Sequence, residues 1–382
     1  MIPALPAAPA VALTTTVRIM LPAGKSRAFH CPARRVPPRR IVSLALLLGL
    51  LCTTADFLAQ ETAPQRYTFA LPRMGTLFQI ELYAGSKVEA TRAATGAFER
   101  IEELEQVFSD YREDSELNCL AREGSTAPRP VSAELFYLLD KSLLFSRLSG
   151  GALDVTIGPV IAVWRKAGRS GRRPGAAELA QARAAVGYQN IELDPKTRTV
   201  FLKRSDMKLD MGAIAKGYAA DQALELLQSQ GIRSALVDAG GDLALGAPPP
   251  GKPGWKIVID SPDTSEANPP CSLVLHDVGV ATSGNARRFV QVEGQRYSHI
   301  VNPADGAALR GSAGTTVIAR DGTTADALAT ALAVLPVARG LRVLEAVEGA
   351  AAYLVRQEGG EWRYYSSLRF PRACRELRKW GN

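Results

Sequence analysis

The stretch LDMGAIAKGYAADQALELLQSQGIRSALVDAGGDLALG, Leu209 to Gly246, decides the fold. A strand runs into a glycine turn at Gly212, a long helix follows and ends near Gly231, and SALVDAGGDLALG continues as short strands around Gly240 and Gly241. Upstream, NIELDPKTRTVFLK reads as a hairpin about Pro195, and GRSGRRPG, Gly168 to Gly175, as a solvated loop. A second apolar helix is expected from Ala133 to Leu148, closed by Gly150 and Gly151. An amphipathic one is expected from Lys87 to Phe108, with Val88, Thr91, Phe98, Ile101, Leu104 and Val107 at helical spacing. Before it, YTFALPRMGTLFQIELYA reads as two strands broken by Pro72 to Gly75.

Downstream come the short strands WKIVID, GVATSG, RFVQVEGQRYSHIV and TTVIA. A helix pair over roughly Thr323 to Leu335 and Val337 to Val347 precedes the strands AAYLVR and WRYYSS. Neighbouring strands joined by short turns, with helices arriving in clusters, imply an α+β fold with antiparallel or mixed sheets rather than a doubly wound parallel sheet. The divisions are a leader (1–55), a linker (56–66), one domain (67–370) and a tail (371–382).

The formal net charge of +8 is unevenly placed. Seven basic residues and no acidic one fall in 1–55, leaving 39 basic against 38 acidic from Asp56 onward, a net of +1. A nearly neutral body removes the main support for nucleic-acid binding. The basic block ends at Arg40 and gives way to the apolar run IVSLALLLGLL, a positive n-region and an h-region too short for a comfortable membrane span. Three versions stay open: a lipidated Cys52, cleavage after Ala55, or an uncleaved anchor in the inner membrane. Met20 is an alternative start. Each version places the body outside the cytoplasm, at the periplasmic face of the inner membrane. In the body, Cys119, Cys271 and Cys374 lack C-x-x-C spacing, which argues against a disulfide framework or zinc site while leaving room for one oxidised pair.

Within LDMGAIAKGYAAD, a carboxylate (Asp210), a glycine turn, a lysine (Lys216) and a helix N-terminus lie close together. Such a turn aims N–H groups and a positive charge at an anion, and serves equally as a plain strand-to-helix junction. It matches neither the P-loop nor the dinucleotide fingerprint spacing. Asp326 and Thr330 are four apart on one predicted helix, one charged and one neutral hard oxygen, a set that suits Mg²⁺. The alternative is that Asp326 serves the helix N-terminus and Thr330 bonds back to a carbonyl. Of three histidines, His30 is in the leader and His276 stands in an ordinary VLHD context, so His299, in RYSHIVNPADG, is the candidate base. GALDVTIGP around Asp154, DAGGDLALG around Asp242, and ATSGNARR around Ser283 read as loops that build a site or simply turn the chain. The absence of G-x-S-x-G, H-E-x-x-H and His/Cys clusters disfavours hydrolase triads and zinc chemistry.

Taken in order, MGTLFQIELYA, FSDYREDSELNCL, GALDVTIGPVIAVW, LDMGAIAKGYAAD, LVDAGGDLALG, VATSGNARRFVQVEGQRYSHIVNPADG and TTVIARDGTTADALATALAVLP resemble the successive motifs of the ApbE family of FAD:protein FMN transferases. The resemblance implies a T-fold-like α+β architecture, FAD as donor, Mg²⁺ as metal, and a Thr or Ser hydroxyl of a separate flavoprotein as acceptor, typically a membrane-bound respiratory subunit. It implies that Met74 and Tyr111 flank the flavin, that Ala152, Leu153 and Asp154 line the FAD site, and that Asp210 and Lys216 hold FAD. The backbone oxygen of Ala213 with the side chains of Asp326 and Thr330 would bind the metal, His299 would act as base, and Ile300 would touch the cofactor. Asn302 and Val155 depart from the family's usual aspartate and proline. The acceptor pattern D-x-x-[ST]-G-A-[ST] does not occur in this chain, which disfavours self-modification.

Overall fold

Strands β1 (Gln65–Arg73) and β2 (Thr76–Ala84) form a hairpin closed by Met74 and Gly75, both with positive φ, 48° and 68°. Two such residues make the turn whose twist matches that of the strands. The chain break is therefore only two residues long, and Pro72 lies inside β1, at the sheet edge where a missing N–H is tolerated. The computed structural model describes residues 63–259, 261–263, 271–284, 289–310 and 313–371. The leader, the first part of the linker and the tail from 372 lie outside the described residues. No described helix is long and apolar enough to cross a membrane.

After the hairpin come α1 (Lys87–Phe108), α2 (Glu116–Glu123), β3 (Arg129–Pro130), α3 (Ala133–Ser149), α4 (Gly158–Ser170), α5 (Ala176–Ala184), β4 (Ile191–Asp194) and β5 (Thr199–Leu202). Then follow α6 (Ala215–Ser229), β6 (Ala235–Ala239), β7 (Asp242–Leu245), β8 (Trp255–Ile259), β9 (Cys271–Leu275), β10 (Val278–Gly284), β11 (Phe289–Val292), β12 (Gln295–Ser298) and β13 (Ala313–Ala319). The last elements are α7 (Gly322–Val334), α8 (Val337–Glu345), β14 (Ala351–Glu358) and β15 (Glu361–Ser366).

The main sheet has eight strands in the order β1-β2-β6-β7-β10-β13-β14-β15, each pair antiparallel. The expected α+β class holds, and of the two expected kinds of sheet the strand pairs are the antiparallel one. Helices α1, α6 and α7 cover one face, and the β8–β9 hairpin covers part of the other. Along β14, Ala352 and Leu354 face the helices while Ala351, Tyr353 and Val355 face the hairpin, so period-two alternation buries both sides. Phe78, Ile80 and Leu82 of β2 are fully buried, each worth roughly 1.5–3 kcal/mol of transfer free energy. A satellite core joins α4 to the β11–β12 hairpin through Val160, Trp164, Val292 and Tyr297.

Two expectations change. No strand leads into Gly212; Lys208 makes only an isolated bridge to Ile157, and the helix starts at Ala215. The arginine loop is shorter than expected, because α4 runs to Ser170 and is closed by Gly171 at φ 67°.

Candidate active site

The N-terminus of α6 is the centre of the arrangement. A helix leaves its first N–H groups without intrahelical partners. In α6 no side chain of its own turn caps them, and the Gly217 N–H instead donates to Asp326 Oδ2 of α7 at 3.1 Å. This contact requires glycine: a Cβ at Gly217 would meet the Gly322 backbone and the Asp326 Cβ. Asp326 is 2% exposed and sits mid-helix, while Asp321 caps the start of α7 by accepting the Thr324 N–H at 2.7 Å. Asp326 thus reaches across to another helix rather than serving its own N-terminus. Thr330, one turn on, has its hydroxyl 3.2 Å from Ser283 Oγ of β10.

Lys216 pairs with Asp242 at the start of β7 and lies 3.7 Å from Asp326 Oδ2. The glycine pair Gly240 and Gly241, at φ 74° and 106°, turns the chain so that Asp242 arrives there. The first of them packs against Thr76 beside the Met74 turn. In the sequence Asp242 reads only as a loop carboxylate, and nothing there ties it to Lys216, 26 residues away.

Asp154 accepts the Thr156 N–H at 2.9 Å, the Thr156 hydroxyl at 2.6 Å and the Tyr188 N–H at 3.0 Å. Burial raises its pKa despite these bonds. Its role on these contacts is to tie the loop carrying buried Ala152 and Leu153 to Gly187–Tyr188. Asp210 joins this loop through its own N–H, which donates to Val155 O at 2.8 Å. Its carboxylate accepts the Gly212 N–H at 2.8 Å and Arg165 Nη2 at 3.3 Å. Burial and then the Asp110 charge push Asp210 up to about 6, against the opposing pull of the Gly212 N–H and Arg165.

Tyr111 is 75% exposed, with the Arg165 guanidinium 4.2 Å from its ring centroid. Met74 lines a pocket of about 520 Å³ with Thr76, Glu102, Glu105 and Arg112, the residue after Tyr111. His299 is exposed, one residue past β12, and buried Ile300 follows with its N–H donating to Ser298 Oγ at 3.0 Å. Their loop is held by Trp164 of α4, whose indole N–H donates to Gly306 O at 2.9 Å.

The contacts therefore form three groups. Lys216, Asp326 and Thr330 belong to the α6–α7 junction, with Asp242 and Ser283 added by the structure. Asp154 and Asp210 belong to two segments bonded to each other, with Tyr111 linked through Arg165. His299 and Ile300 stand on the β12 loop, which reaches the second group through α4.

Whether the first group suits a hard cation can be judged from its free oxygens. Among the described residues no hydrogen bond reaches Asp326 Oδ1 or the Ala213 carbonyl oxygen. A carboxylate and a hydroxyl one turn apart on α7, with a carbonyl from the segment before α6, are all hard oxygens and short of a full shell, donors that could hold a Mg²⁺ that also takes substrate phosphates. No cluster of three or more His, Cys, Asp or Glu is available among the described residues to hold a metal without such help.

Comparison with known proteins places the chain in a family. The model of the ApbE family matches residues 74–354. The FAD:protein FMN transferase of Vibrio cholerae is 31% identical over 332 residues, 86% of this chain and 96% of that protein. That of Treponema pallidum is 30% identical over 327 residues, 82% of this chain and 90% of that protein. Among solved structures, the flavin transferase ApbE from Vibrio cholerae superposes with a TM-score of 0.72 at 28% identity, covering 80% of this chain and 98% of that one. The ApbE protein from Thermotoga maritima does so with a TM-score of 0.70 at 31% identity, covering 80% and 98%. The matched span begins at Met74 and runs past Thr330, so it contains all three groups of residues described above. The chain belongs to the ApbE family.

Proposed function

We propose that the protein is an FAD:protein FMN transferase that moves FMN from FAD to a Thr or Ser hydroxyl of a partner flavoprotein. The observation that carries this reading is the α6–α7 junction. There a helix N-terminus, a lysine and a buried carboxylate with one free oxygen meet within a span matched by transferases of this name. A pyrophosphate is the kind of anion such a junction receives. Asp326, Thr330 and the Ala213 carbonyl would hold Mg²⁺, which when bound supplies neutralisation of phosphate charge.

The residues of the chain would then act as follows. Lys216 adds positive charge beside the phosphates, and Asp210 with the Asp154 loop orients FAD. Met74 and Tyr111 take the flavin ring between them, with Ile300 against the cofactor. His299 takes the proton from the acceptor hydroxyl as its oxygen attacks the FMN phosphorus. The bond from that phosphorus to the bridging oxygen breaks, AMP departs with that oxygen, and a phosphoester joins FMN to the partner.

The partner is proposed to be a membrane-bound respiratory subunit, and the enzyme to work at the periplasmic face of the inner membrane. The basic and apolar leader supports export. Cys119 is a free thiol. Incubating the purified body with FAD and Mg²⁺, with and without an acceptor segment carrying D-x-x-[ST]-G-A-[ST], tests the reaction. Covalent yellow label on the acceptor supports the proposal; free FMN and AMP alone would make the protein a hydrolase, and intact FAD a flavin binder.

A further inference from the structure

Arg165 is tied to three residues that lie far from it in sequence. Its Nη1 pairs with Asp110, its Nη2 donates to Asp210 Oδ2 at 3.3 Å, and its guanidinium carbon lies 4.2 Å from the Tyr111 ring centroid. Asp110 and Tyr111 belong to the turn after α1, Asp210 to the segment before α6, and Arg165 to α4, so one side chain spans three separate pieces of the site. We propose that Arg165 is a positioning residue for flavin transfer, fixing the Tyr111 ring and the Asp210 carboxylate in one arrangement by neutralising the two carboxylates Asp110 and Asp210. This rests on the transferase reading, in which Tyr111 flanks the flavin and Asp210 holds FAD.

The physical case has two parts. Tyr111 is mostly exposed and its N–H is held only locally, by Ser109 Oγ at 3.2 Å, so a stacked guanidinium is what orients the ring. The Asp110 and Asp210 side chains are 18% and 13% exposed, where two like charges repel strongly unless a cation lies between them. The Asp110 charge already pushes the Asp210 pKa up, and Arg165 opposes that push. Only arginine can donate to two carboxylates from one plane and stack the same plane on a ring; lysine would keep the charge and lose the stack. The mid-length position of Arg165 on α4, whose opposite face packs Val160, Trp164 and Ala167 into the satellite core, gives the guanidinium a rigid base.

The test compares the unsubstituted enzyme with Arg165→Ala, Arg165→Lys and the double variant Arg165→Ala with Asp110→Asn. KM for FAD, the FAD dissociation constant from flavin fluorescence, and kcat are measured with Mg²⁺ and an acceptor peptide. Arg165→Ala should raise both KM and the dissociation constant roughly tenfold to a hundredfold, the scale of a lost charged hydrogen bond, with kcat changed much less. Arg165→Lys should recover part of that loss. The double variant should recover part as well, because removing the repelling charge substitutes for neutralising it, whereas a merely structural role would be made worse by a second substitution. An unchanged or tighter FAD affinity in Arg165→Ala, or a double variant no better than the single one, would overturn the role of Arg165 alone. If the unsubstituted enzyme neither binds FAD nor transfers FMN, the transferase reading falls, and this inference with it.

Discussion

The carboxylate of Asp326, midway along α7, accepts the backbone N–H of Gly217 in the first turn of α6 at 3.1 Å, joining residues 109 positions apart. The bond exists because Gly217 and Gly322 let two helices approach to backbone contact. It places a carboxylate where a helix N-terminus concentrates positive potential.

Gly217→Ala should therefore disturb the site more than its size suggests. The added methyl would meet the Gly322 carbonyl and lie 2.8 Å from the Asp326 Cβ, so α7 must move. Overpacking of this kind costs about 1–3 kcal/mol, visible as a lowered midpoint in thermal or urea unfolding. Because Asp326 and Thr330 ride on α7, transfer should fall further than folding. A variant with full stability and full transfer would contradict the contact.

Asp326→Ala removes the one carboxylate of the oxygen set while Lys216 keeps Asp242 as its partner. Folding should survive. The Mg²⁺ concentration for half-maximal transfer should rise by roughly tenfold or more, the scale seen when metal-site groups are lost. A Mg²⁺ titration that overlays the parent's would remove Asp326 from the ligand set.

Much of the frame was legible because local rules set it. Lys87–Phe108 was recognisable as a helix from its apolar spacing, and Ser86 and Glu89 cap its start, with the Glu89 N–H donating to Ser86 Oγ at 3.2 Å. The helix Ala176–Ala184 left no such signal because none of its residues is buried, and so it carries no apolar stripe to read. The expected strand before Gly212 failed for another reason: an apolar run there is buried by loop packing, with Leu209 and Met211 in the core but no ladder beside them. In the site, motif order pointed to Asp326, Lys216 and His299. It could not show that Asp242 neutralises Lys216 or that Arg165 bridges Asp110 and Asp210, because long-range pairing of common charged residues has no local signature.

His299→Ala should separate binding from chemistry. The side chain is exposed on the loop that Trp164 anchors through Gly306, and truncation does not touch that anchor. FAD should bind with little change, while transfer falls by roughly 10²–10⁴, the usual contribution of a positioned general base. Equal FAD affinity with undiminished transfer would dismiss His299 as base.

Asp221 supplies a pH-dependent prediction for stability. Its carboxylate accepts the Gly322 N–H at 2.7 Å, and the Thr323 N–H and hydroxyl at 2.8 and 2.6 Å, clasping α6 to the start of α7. Burial outweighs these bonds and pushes its pKa from 3.8 up to about 6, with the Asp321 charge adding in the same direction. Between those values the folded protein keeps a proton that the unfolded chain has released. The stabilising share of the protonated form is thus complete below about pH 3.8 and lost as the pH rises through about 6. Asp210, also pushed up to about 6, acts with the same sign, so each group lowers the unfolding free energy by up to about 1.4 kcal/mol per pH unit across that window. Asp221→Asn cannot titrate and keeps only one acceptor oxygen, so it should be less stable than the parent at pH 4. That gap should narrow by on the order of 3 kcal/mol by pH 7. Urea unfolding of both proteins at steps from pH 4 to 7 measures the gap directly, and a gap that stays constant or widens would show that Asp221 is charged in the folded state throughout.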